Sequence, residues 1–337
     1  PLEFDAPLVQ AALSGYSDLP MRQIARRHGA PFTLHEVVLD KLVTRPGKIQ
    51  RRLMRLEASD HPVGGQIMGA EPAQFAAAAA LMDEAGFDVI DINFGCPVRK
   101  VLGRCRGGFL LSDPLTAMEI IRRVRDAVPP TTPVTLKMRR GMDDSAASER
   151  NFFQIFDTAV EAGLAAVTVH GRTVEQRYIG PSDWGFLERV KRYAGDFTLL
   201  GSGDLFGAED VVRMLKQTGV DGVTIARGAI GNPWIFDEGR ALLTGRPLPE
   251  PPSVAEQGRV IREHFELASQ VYGEKHVTRM MRKFGIKYSE LHPHGVTVRD
   301  AFVRSRNRQE WTAVLDEWYD PARTWPQVRR KEGPGEL

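Results

Sequence analysis

Residues 88–97 read Asp-Val-Ile-Asp-Ile-Asn-Phe-Gly-Cys-Pro. The run 89–92 is apolar and β-branched but for one Asp, which is typical of a strand buried in a parallel sheet. A glycine and a proline then flank Cys96, so its thiol lies at a rigid bend just past the strand end. On this stretch alone, Cys96 can equally be interpreted as a small buried residue of a structural turn.

Eight short apolar runs of this kind recur, with helical patterns between most of them. They are residues 7–13, 32–34, 63–67, 89–92, 134–138, 165–169, 197–200 and 222–225. Alternating strands and helices indicate right-handed crossovers and a parallel sheet. Eight units predict an α/β fold of the (β/α)8 TIM-barrel type. A doubly wound sheet is the competing fold, but no Gly-x-Gly-x-x-Gly follows the first run.

The pattern changes after residue 243. Residues 244–254 form a Pro-rich linker, and no strand pattern follows it. We therefore predict a barrel domain over residues 1–243 and a small all-α domain over residues 255–337. Helices are predicted at residues 72–85, 112–127, 207–218, 255–273, 275–289 and 298–318.

Basic residues are concentrated in the predicted all-α domain. Nine of them lie between residues 275 and 308: Lys275, Arg279, Arg282, Lys283, Lys287, Arg299, Arg304, Arg306 and Arg308. An isolated cluster of this kind is usually a solvated helix face. In an accessory domain beside an active site, it is better interpreted as a contact surface for a phosphate backbone.

Composition limits the remaining classes of protein. The net charge of +2 does not by itself imply a polyanionic partner, and no apolar run is long enough to cross a membrane. Two cysteines nine positions apart argue against a disulfide framework or a zinc site, so we expect no metal. The first five residues lack a signal-peptide layout. We expect a cytoplasmic location, no membrane association and no stable protein partner.

Polar residues follow the apolar runs, at the rim where a barrel of this type carries its working residues. The candidates are Ser14; Gln66; Asn93 and Cys96; Lys137; His170 and Arg172; Gly201, Ser202, Gly203 and Asp204; and Ala226, Arg227 and Gly228. Seven of the eight runs end in such residues. A single polar residue at a strand end is usually structural, but a rim of them predicts an active site.

The last two groups predict a phosphate site. Residues 201–204 and 226–233 are glycine-rich loops that lead into helices after the seventh and eighth runs. The phosphate site of this fold lies there, and backbone N–H groups bind the anion. Gln66, Lys137 and His170 would then meet the polar edge of the cofactor ring, a donor set that suits flavin mononucleotide (FMN). A thiol with an ordinary pKa of about 8.5 makes Cys96 a candidate general acid, with a nucleophile as the alternative.

Motifs at these positions resemble the tRNA-dihydrouridine synthase family over nearly the whole chain. Asn-x-Gly-Cys-Pro at 93–97 and His-Gly-Arg-Thr at 170–173 are together highly specific. The other similar segments are residues 13–22, 66–69, 136–139, 176–178, 180–184, 203–204 and 227–234.

The resemblance implies an FMN-dependent enzyme that reduces the uracil C5=C6 bond in tRNA, with NADPH as a transient electron donor. It implies that flavin N5 delivers hydride to C6 and that Cys96 protonates C5. It places Asn93 near the uracil, and His170 and Arg172 toward the substrate pocket. It also makes the helical domain a tRNA-binding domain. The target base must leave its stack to reach such a site.

The loop after Cys96 departs from the family pattern. It is usually made of small residues, and here it reads Cys105-Arg106-Gly107-Gly108. We therefore expect Arg106 to contact RNA or to alter which uridine is selected. Two other functions remain as alternatives. An FMN-dependent barrel oxidoreductase acting on a free small molecule would need no basic helical domain. A non-catalytic tRNA-binding protein would carry no flavin.

Overall fold

The computed structural model describes residues 2–331 and 333. The strands in this part of the chain are β1 (Leu8–Gln10), β2 (Phe32–Leu34), β3 (Val38–Leu39), β4 (Val63–Met68), β5 (Val89–Phe94), β6 (Val134–Arg139), β7 (Ala166–His170), β8 (Leu199–Ser202) and β9 (Gly222–Ile225).

Eight of these strands close into a parallel barrel. The order is β2-β1-β9-β8-β7-β6-β5-β4-β3, and an additional pairing of β2 with β4 completes the ring. At the junction of β9 with β1, the N–H of Val223 donates to the carbonyl of Pro7 at 2.9 Å. Strand β3 pairs with the end of β4, where Val38 lies opposite Ile67. The predicted TIM barrel is confirmed, and β3 is an addition that the apolar pattern missed.

The helices are α1 (Leu19–Arg27), α2 (Asp40–Val43), α3 (Lys48–Leu53), α4 (Pro72–Glu84), α5 (Arg99–Leu102), α6 (Pro114–Ala127), α7 (Ala146–Glu161), α8 (Trp184–Ala194), α9 (Ala208–Thr218), α10 (Ile235–Leu243), α11 (Val254–Tyr272), α12 (Glu274–Tyr288), α13 (Gly295–Arg304) and α14 (Arg308–Trp318). No helix among the described residues is long and apolar enough to cross a bilayer.

Side-chain caps fix where several helices begin. Asp113 accepts the N–H of Thr116 at 3.2 Å and starts α6, as its Ser-Asp-Pro sequence predicts. Asn307 accepts the N–H of Glu310 at 2.9 Å and starts α14 in the same way. The prediction of one helix over residues 298–318 is therefore wrong, because Asn307 caps a new helix where the chain turns.

Glycines in β4 allow close packing of the barrel. A Cβ on Gly64 would lie 2.4 Å from Cδ2 of Leu34, and a Cβ on Gly65 would lie 2.3 Å from Cε of Met82. The core on this side contains Val9, Phe32, Leu34 and Val89. Burying an aliphatic or aromatic side chain of this size stabilises a fold by about 1.5–3 kcal/mol.

The described chain divides into two compact units. The first contains the residues up to Gly15, Pro31–Gly203 and Arg213–Thr224, and the second contains Tyr16–Ala30, Asp204–Val212 and the residues from Ile225 onward. The predicted domain boundaries at residues 243 and 255 stay a prediction. The predicted domains also include residues 1, 332 and 334–337, which lie outside the described residues.

Helix α1 belongs to the second unit although it follows β1 in the sequence. The Tyr272 hydroxyl in α11 donates to Oδ2 of Asp18, the N-cap of α1, at 2.6 Å. Arg27 at the other end of α1 pairs with Glu263 of α11. The helical unit is therefore built from α1 as well as from the C-terminal helices.

Candidate active site

A series of side-chain hydrogen bonds links the neighbouring strands β4, β5 and β6. Thr135 Oγ1 donates to Oδ1 of Asp91 at 2.5 Å, and Gln66 Nε2 donates to its Oδ2 at 2.6 Å. Asn93 Nδ2 donates to Oε1 of Gln66 at 2.6 Å. Burial raises the pKa of Asp91, while the bonds from Thr135 and Gln66 oppose that rise. The network fixes the two amide side chains that the sequence predicted for this rim.

The same asparagine holds the bend that carries Cys96. Oδ1 of Asn93 accepts the N–H of Gly95 at 3.0 Å and the N–H of Cys96 at 3.2 Å. The thiol is half-buried. Burial raises its pKa, while the N–H of Val98 and the charge of Arg139 oppose the rise. Cys96 is therefore a protonated thiol at neutral pH, as a general acid must be.

Glycines of the following loop pack directly on Cys96. A Cβ on Gly107 would lie 2.9 Å from Cβ of Cys96, and Gly107 has a φ of 58°. A Cβ on Gly108 would lie 3.1 Å from the Cys96 carbonyl, which accepts the N–H of Gly108 at 3.1 Å. The loop therefore requires small residues at these two positions, whereas Cys105, which precedes them, is exposed.

Lys137 lies on β6, on the same rim. It pairs in register with Asn93 of β5. Burial is the main effect that lowers the pKa of Lys137 to about 7, and the charge of Arg139 adds to it, while the charge of Asp91 opposes it. Among the residues that the structure describes, none forms a hydrogen bond or ion pair with its ammonium. An ammonium placed in this way is available to an acceptor atom or anion of a ligand.

Arg139 lies in the family-like segment 136–139 but was not among the residues predicted for the site. Its buried side chain donates from Nε to the carbonyl of Gly95 at 2.9 Å. Nη1 donates to the carbonyls of Thr173 and Arg177 at 2.8 and 2.7 Å. One guanidinium thus ties the bend before Cys96 to the loop after β7. The partners of Arg139 come from distant loops, so they leave no local signal in the sequence.

His170 and Arg172 lie together at the end of β7. Nε2 of His170 is 3.4 Å from Nη1 of Arg172, and Nε of the buried Arg172 donates to the carbonyl of Gly180 at 2.8 Å. A Cβ on Gly203 would lie 3.1 Å from Cδ2 of His170 and 2.4 Å from Oγ of Ser182. With its φ of 114°, Gly203 lets the main chain after β8 pass close to the histidine.

Three further predicted residues belong to the first unit: Ser14, Gly201 and Ser202. Ser14 is exposed in the loop after β1. The space beside Gly201 is filled by the Met214 side chain, whose Sδ would be 2.6 Å from a Cβ, so packing explains this glycine. Ser202 is buried, and its carbonyl lies 3.4 Å from Oγ of Ser182.

Arg106 interacts electrostatically with a buried carboxyl. Burial raises the pKa of Asp40, and the N–H of Lys41 and the charge of Arg106 oppose that rise. Nε of the half-buried Arg106 has no hydrogen-bond partner among the described residues. The predicted contact of Arg106 with RNA stays a prediction.

The second unit contains the predicted residues Asp204, Ala226, Arg227 and Gly228. Nη2 of Arg227 lies 3.8 Å from Oδ1 of Asp204, and its guanidinium lies 5.2 Å from the centre of the Phe206 ring. A Cβ on Gly228 would be 2.1 Å from the carbonyl oxygen of Leu205. The loop after β9 therefore packs closely against residues 204–206.

Within the first unit, the structure brings the predicted residues Gln66, Asn93, Cys96, Lys137 and His170 to the ends of four neighbouring strands, β4 to β7. A parallel barrel with a thiol, a lysine and fixed amides at its carboxyl rim defines the class of (β/α)8-barrel enzymes.

Residues 9–322 match the family model described as dihydrouridine synthase, and the chain belongs to this family. A probable tRNA-dihydrouridine synthase of Mycobacterium tuberculosis is 33% identical over 325 residues, which cover 94% of this chain and 83% of the relative. The tRNA-dihydrouridine synthase B of Pseudomonas aeruginosa is 34% identical over 313 residues, which cover 93% of this chain and 92% of the relative.

Among solved structures, morphinone reductase in complex with tetrahydroNAD has the same fold. Its TM-score is 0.53 at 14% identity, and the alignment covers 76% of this chain and 91% of that chain. At this identity the likeness concerns the barrel fold alone.

Proposed function

We propose that this protein reduces the C5=C6 bond of uridine in tRNA, with FMN as its bound cofactor and NADPH as electron donor. Membership of the dihydrouridine synthase family and the names of the relatives support the reaction and the substrate. The observation that carries the chemistry is the Cys96 thiol, which Asn93 holds at a fixed bend and burial keeps protonated.

The donor set of the first unit fits the polar edge of a flavin ring. Lys137 offers an ammonium with no partner among the described residues. Gln66 uses one N–H and one lone pair within the protein, which leaves one of each for a ligand. His170 completes the set, and we assign the ring edge to these three residues. The assignments of Ser14, Gly201, Ser202 and Gly203 to the cofactor stay proposals without comparable support.

Gln66, Lys137 and His170 would hold the flavin ring, and the chemistry that a reduced flavin would supply there is a hydride for C6 of the uracil ring. The Sγ–H of Cys96 gives its proton to C5, and solvent reprotonates the thiolate. Asn93 and Arg139 hold the bend on either side of the thiol, through the N–H of Cys96 and the carbonyl of Gly95. A positioned general acid contributes about 10²–10⁴-fold to a rate. We assign Asn93 and Arg172 to the substrate side, as the family resemblance implies.

In the second unit, we assign the phosphate of the cofactor to the loop 226–228 and to Asp204 beside it. Arg227 supplies a positive charge there. Because Gly228 has no side chain, its main chain can lie against the carbonyl oxygen of Leu205, where a Cβ would clash. Phosphate binding by backbone N–H groups of a tight turn needs these features.

The tRNA contact is assigned to part of the basic cluster of the second unit. Five of its members are engaged within the protein: Arg282 with the Ser305 carbonyl, Lys283 over the rings of Tyr16 and Phe284, Lys287 with Glu290, Arg299 with Asp300, and Arg308 with Glu266 and Glu274. Four are exposed and form no ion pair among the described residues: Lys275, Arg279, Arg304 and Arg306. These four, which we call the free basic set, suit contacts to phosphates.

Anaerobic turnover of an unmodified tRNA transcript tests this function. The purified protein should show a flavin spectrum, oxidise NADPH and produce dihydrouridine in the tRNA, measured by nucleoside mass spectrometry. Equal reduction of free uridine or of a small enone would support the small-molecule alternative. A colourless protein that binds tRNA without forming dihydrouridine would overturn the proposal in favour of a binding protein.

A further inference from the structure

A lysine from the end of the described chain reaches the loop that follows β9. Lys331 is 8% exposed, and its ammonium donates to the carbonyls of Arg227 and Ile230, both at 3.0 Å. It also lies 3.3 Å from Oε2 of Glu290, whose Oε1 accepts a hydrogen bond from Lys287 at 2.8 Å. All of these residues belong to the second unit.

These two carbonyls belong to the peptide groups that carry the N–H of Gly228 and the N–H of Gly231. In a trans peptide the N–H points away from the C=O, so a cation at the carbonyl side leaves the N–H directed to the opposite side. Both glycines are buried, and neither N–H donates to another described residue. The loop therefore has two N–H groups with no acceptor among the described residues. Each belongs to a peptide group whose carbonyl accepts a hydrogen bond from Lys331.

The glycines also fix the loop in place. A Cβ on Gly228 would lie 2.1 Å from the carbonyl oxygen of Leu205, and a Cβ on Gly231 would lie 2.5 Å from the carbonyl carbon of Lys287. The main chain is thus held on two sides by close backbone contacts. Lys331 is the one charged side chain seen to hydrogen-bond to its carbonyls among the residues described.

We propose that Lys331 is a positioning residue for phosphate binding, which orients the N–H groups of Gly228 and Gly231 toward the anion. This inference rests on the assignment of the cofactor phosphate to this loop. Two physical effects combine. The ammonium holds the Ile230 carbonyl and gives the Arg227 carbonyl, which also accepts the N–H of Ile230 at 3.3 Å, a second donor. Its charge polarises both peptide groups, so that their N–H groups become stronger donors. Lys331 itself touches no ligand in this account.

Comparison of FMN with riboflavin tests the inference, because the two ligands differ only in the phosphate. Flavin-free wild-type protein and Lys331→Met would be titrated with each ligand, and binding would be followed by flavin fluorescence. We expect Lys331→Met to bind FMN about tenfold or more weakly, the scale of one charge-assisted hydrogen bond, and to bind riboflavin as the wild type does. Lys331→Arg, which can still donate to two carbonyls, should recover part of the preference.

Arg330→Gln is the matched control from the same segment. Its guanidinium pairs with Glu238 and donates to the Pro249 carbonyl, so its loss should lower the melting temperature but leave the FMN-to-riboflavin ratio unchanged. If circular dichroism shows Lys331→Met to be unfolded, the same ratio is measured on Lys331→Gln. An unchanged ratio in the folded Lys331 variant would overturn the inference. A wild-type protein that binds both flavins equally would instead overturn the phosphate assignment itself.

Discussion

Oδ1 of Asn93 accepts the backbone N–H of Cys96 at 3.2 Å, so the side chain at the end of β5 sets the position of the thiol that follows it. The same amide donates to Gln66 on β4. Asn93 therefore holds both the proposed acid, Cys96, and the proposed flavin-edge residue, Gln66, and a change at Asn93 should affect both.

Asn93→Ala should destabilise the protein by about 1–3 kcal/mol, because it leaves the N–H groups of Gly95 and Cys96 and one oxygen of Gln66 without their partner. Urea unfolding measures the loss. The control is Asn151→Ala, which removes a single half-buried bond to the Leu111 carbonyl and should cost less. Equal losses in the two variants would contradict the central position of Asn93.

Gly107→Ala should damage the acid site without touching a charged group. Its new Cβ would be 2.9 Å from that of Cys96, at a φ of 58° that disfavours side chains. We expect a stability loss of about 1–3 kcal/mol and slower uridine reduction. Gly103→Ala is the control, since among the described residues its Cβ would lie within 4 Å of the Arg99 carbonyl oxygen alone, at 3.4 Å. Normal melting temperature and turnover for Gly107→Ala would show that the loop is not packed on Cys96.

Lys137 should make the stability of the flavin-free protein depend on pH. Its pKa is about 7 in the folded protein and 10.5 ordinarily, so between these values the unfolded chain binds a proton that the folded chain does not. This group therefore adds to the free energy of unfolding as the pH rises through that window. Urea unfolding at several pH values should show a smaller rise for Lys137→Met than for wild type. Identical slopes would show that Lys137 keeps its ordinary pKa.

The free basic set should govern affinity for tRNA. Replacing Lys275, Arg279, Arg304 and Arg306 by Gln should weaken binding and lower the salt dependence by about 0.7–0.9 in log–log slope for each phosphate that the variant no longer neutralises. Filter binding at several salt concentrations measures this. Arg308→Gln removes a basic residue that Glu266 and Glu274 already engage, so its slope should match the wild type. A larger effect of Arg308→Gln would place the RNA surface elsewhere.

Deleting residues 250–337 is a poor test of RNA binding. Arg27 of α1 pairs with Glu263 of α11, and Asp18, the N-cap of α1, accepts a hydrogen bond from Tyr272 of α11. The deletion would therefore remove these partners of α1 and disturb a helix outside the deleted segment. Substitution of exposed side chains avoids this problem.

The sequence predicted the barrel well because strand periodicity and helix caps such as Asp113 are local signals. It also predicted Gln66, Asn93, Lys137 and His170 at the rim, because strand ends in a closed parallel barrel meet at one edge. It assigned no role to Arg139 or Lys331. Arg139 bonds to Gly95, and Lys331 bonds to Arg227, 104 positions away along the chain. Contacts between residues so far apart along the chain leave no periodic pattern in the sequence.

The same limit explains the basic cluster. From sequence its nine members were equivalent, but Arg308 and Lys287 meet carboxylates that folding brings to them, while Lys275 and Arg279 do not. The folded structure shows which of these charges are engaged within the protein and which are available to a ligand.

The most direct test of the proton-donor role of Cys96 is dihydrouridine formation in an unmodified tRNA transcript, with wild type, Cys96→Ala and Cys105→Ala compared under anaerobic conditions with NADPH. Wild type and Cys105→Ala should form dihydrouridine at similar rates. Cys96→Ala should keep its flavin and its NADPH-dependent flavin reduction, yet form dihydrouridine about 10²–10⁴-fold more slowly. Undiminished turnover by Cys96→Ala would contradict the account.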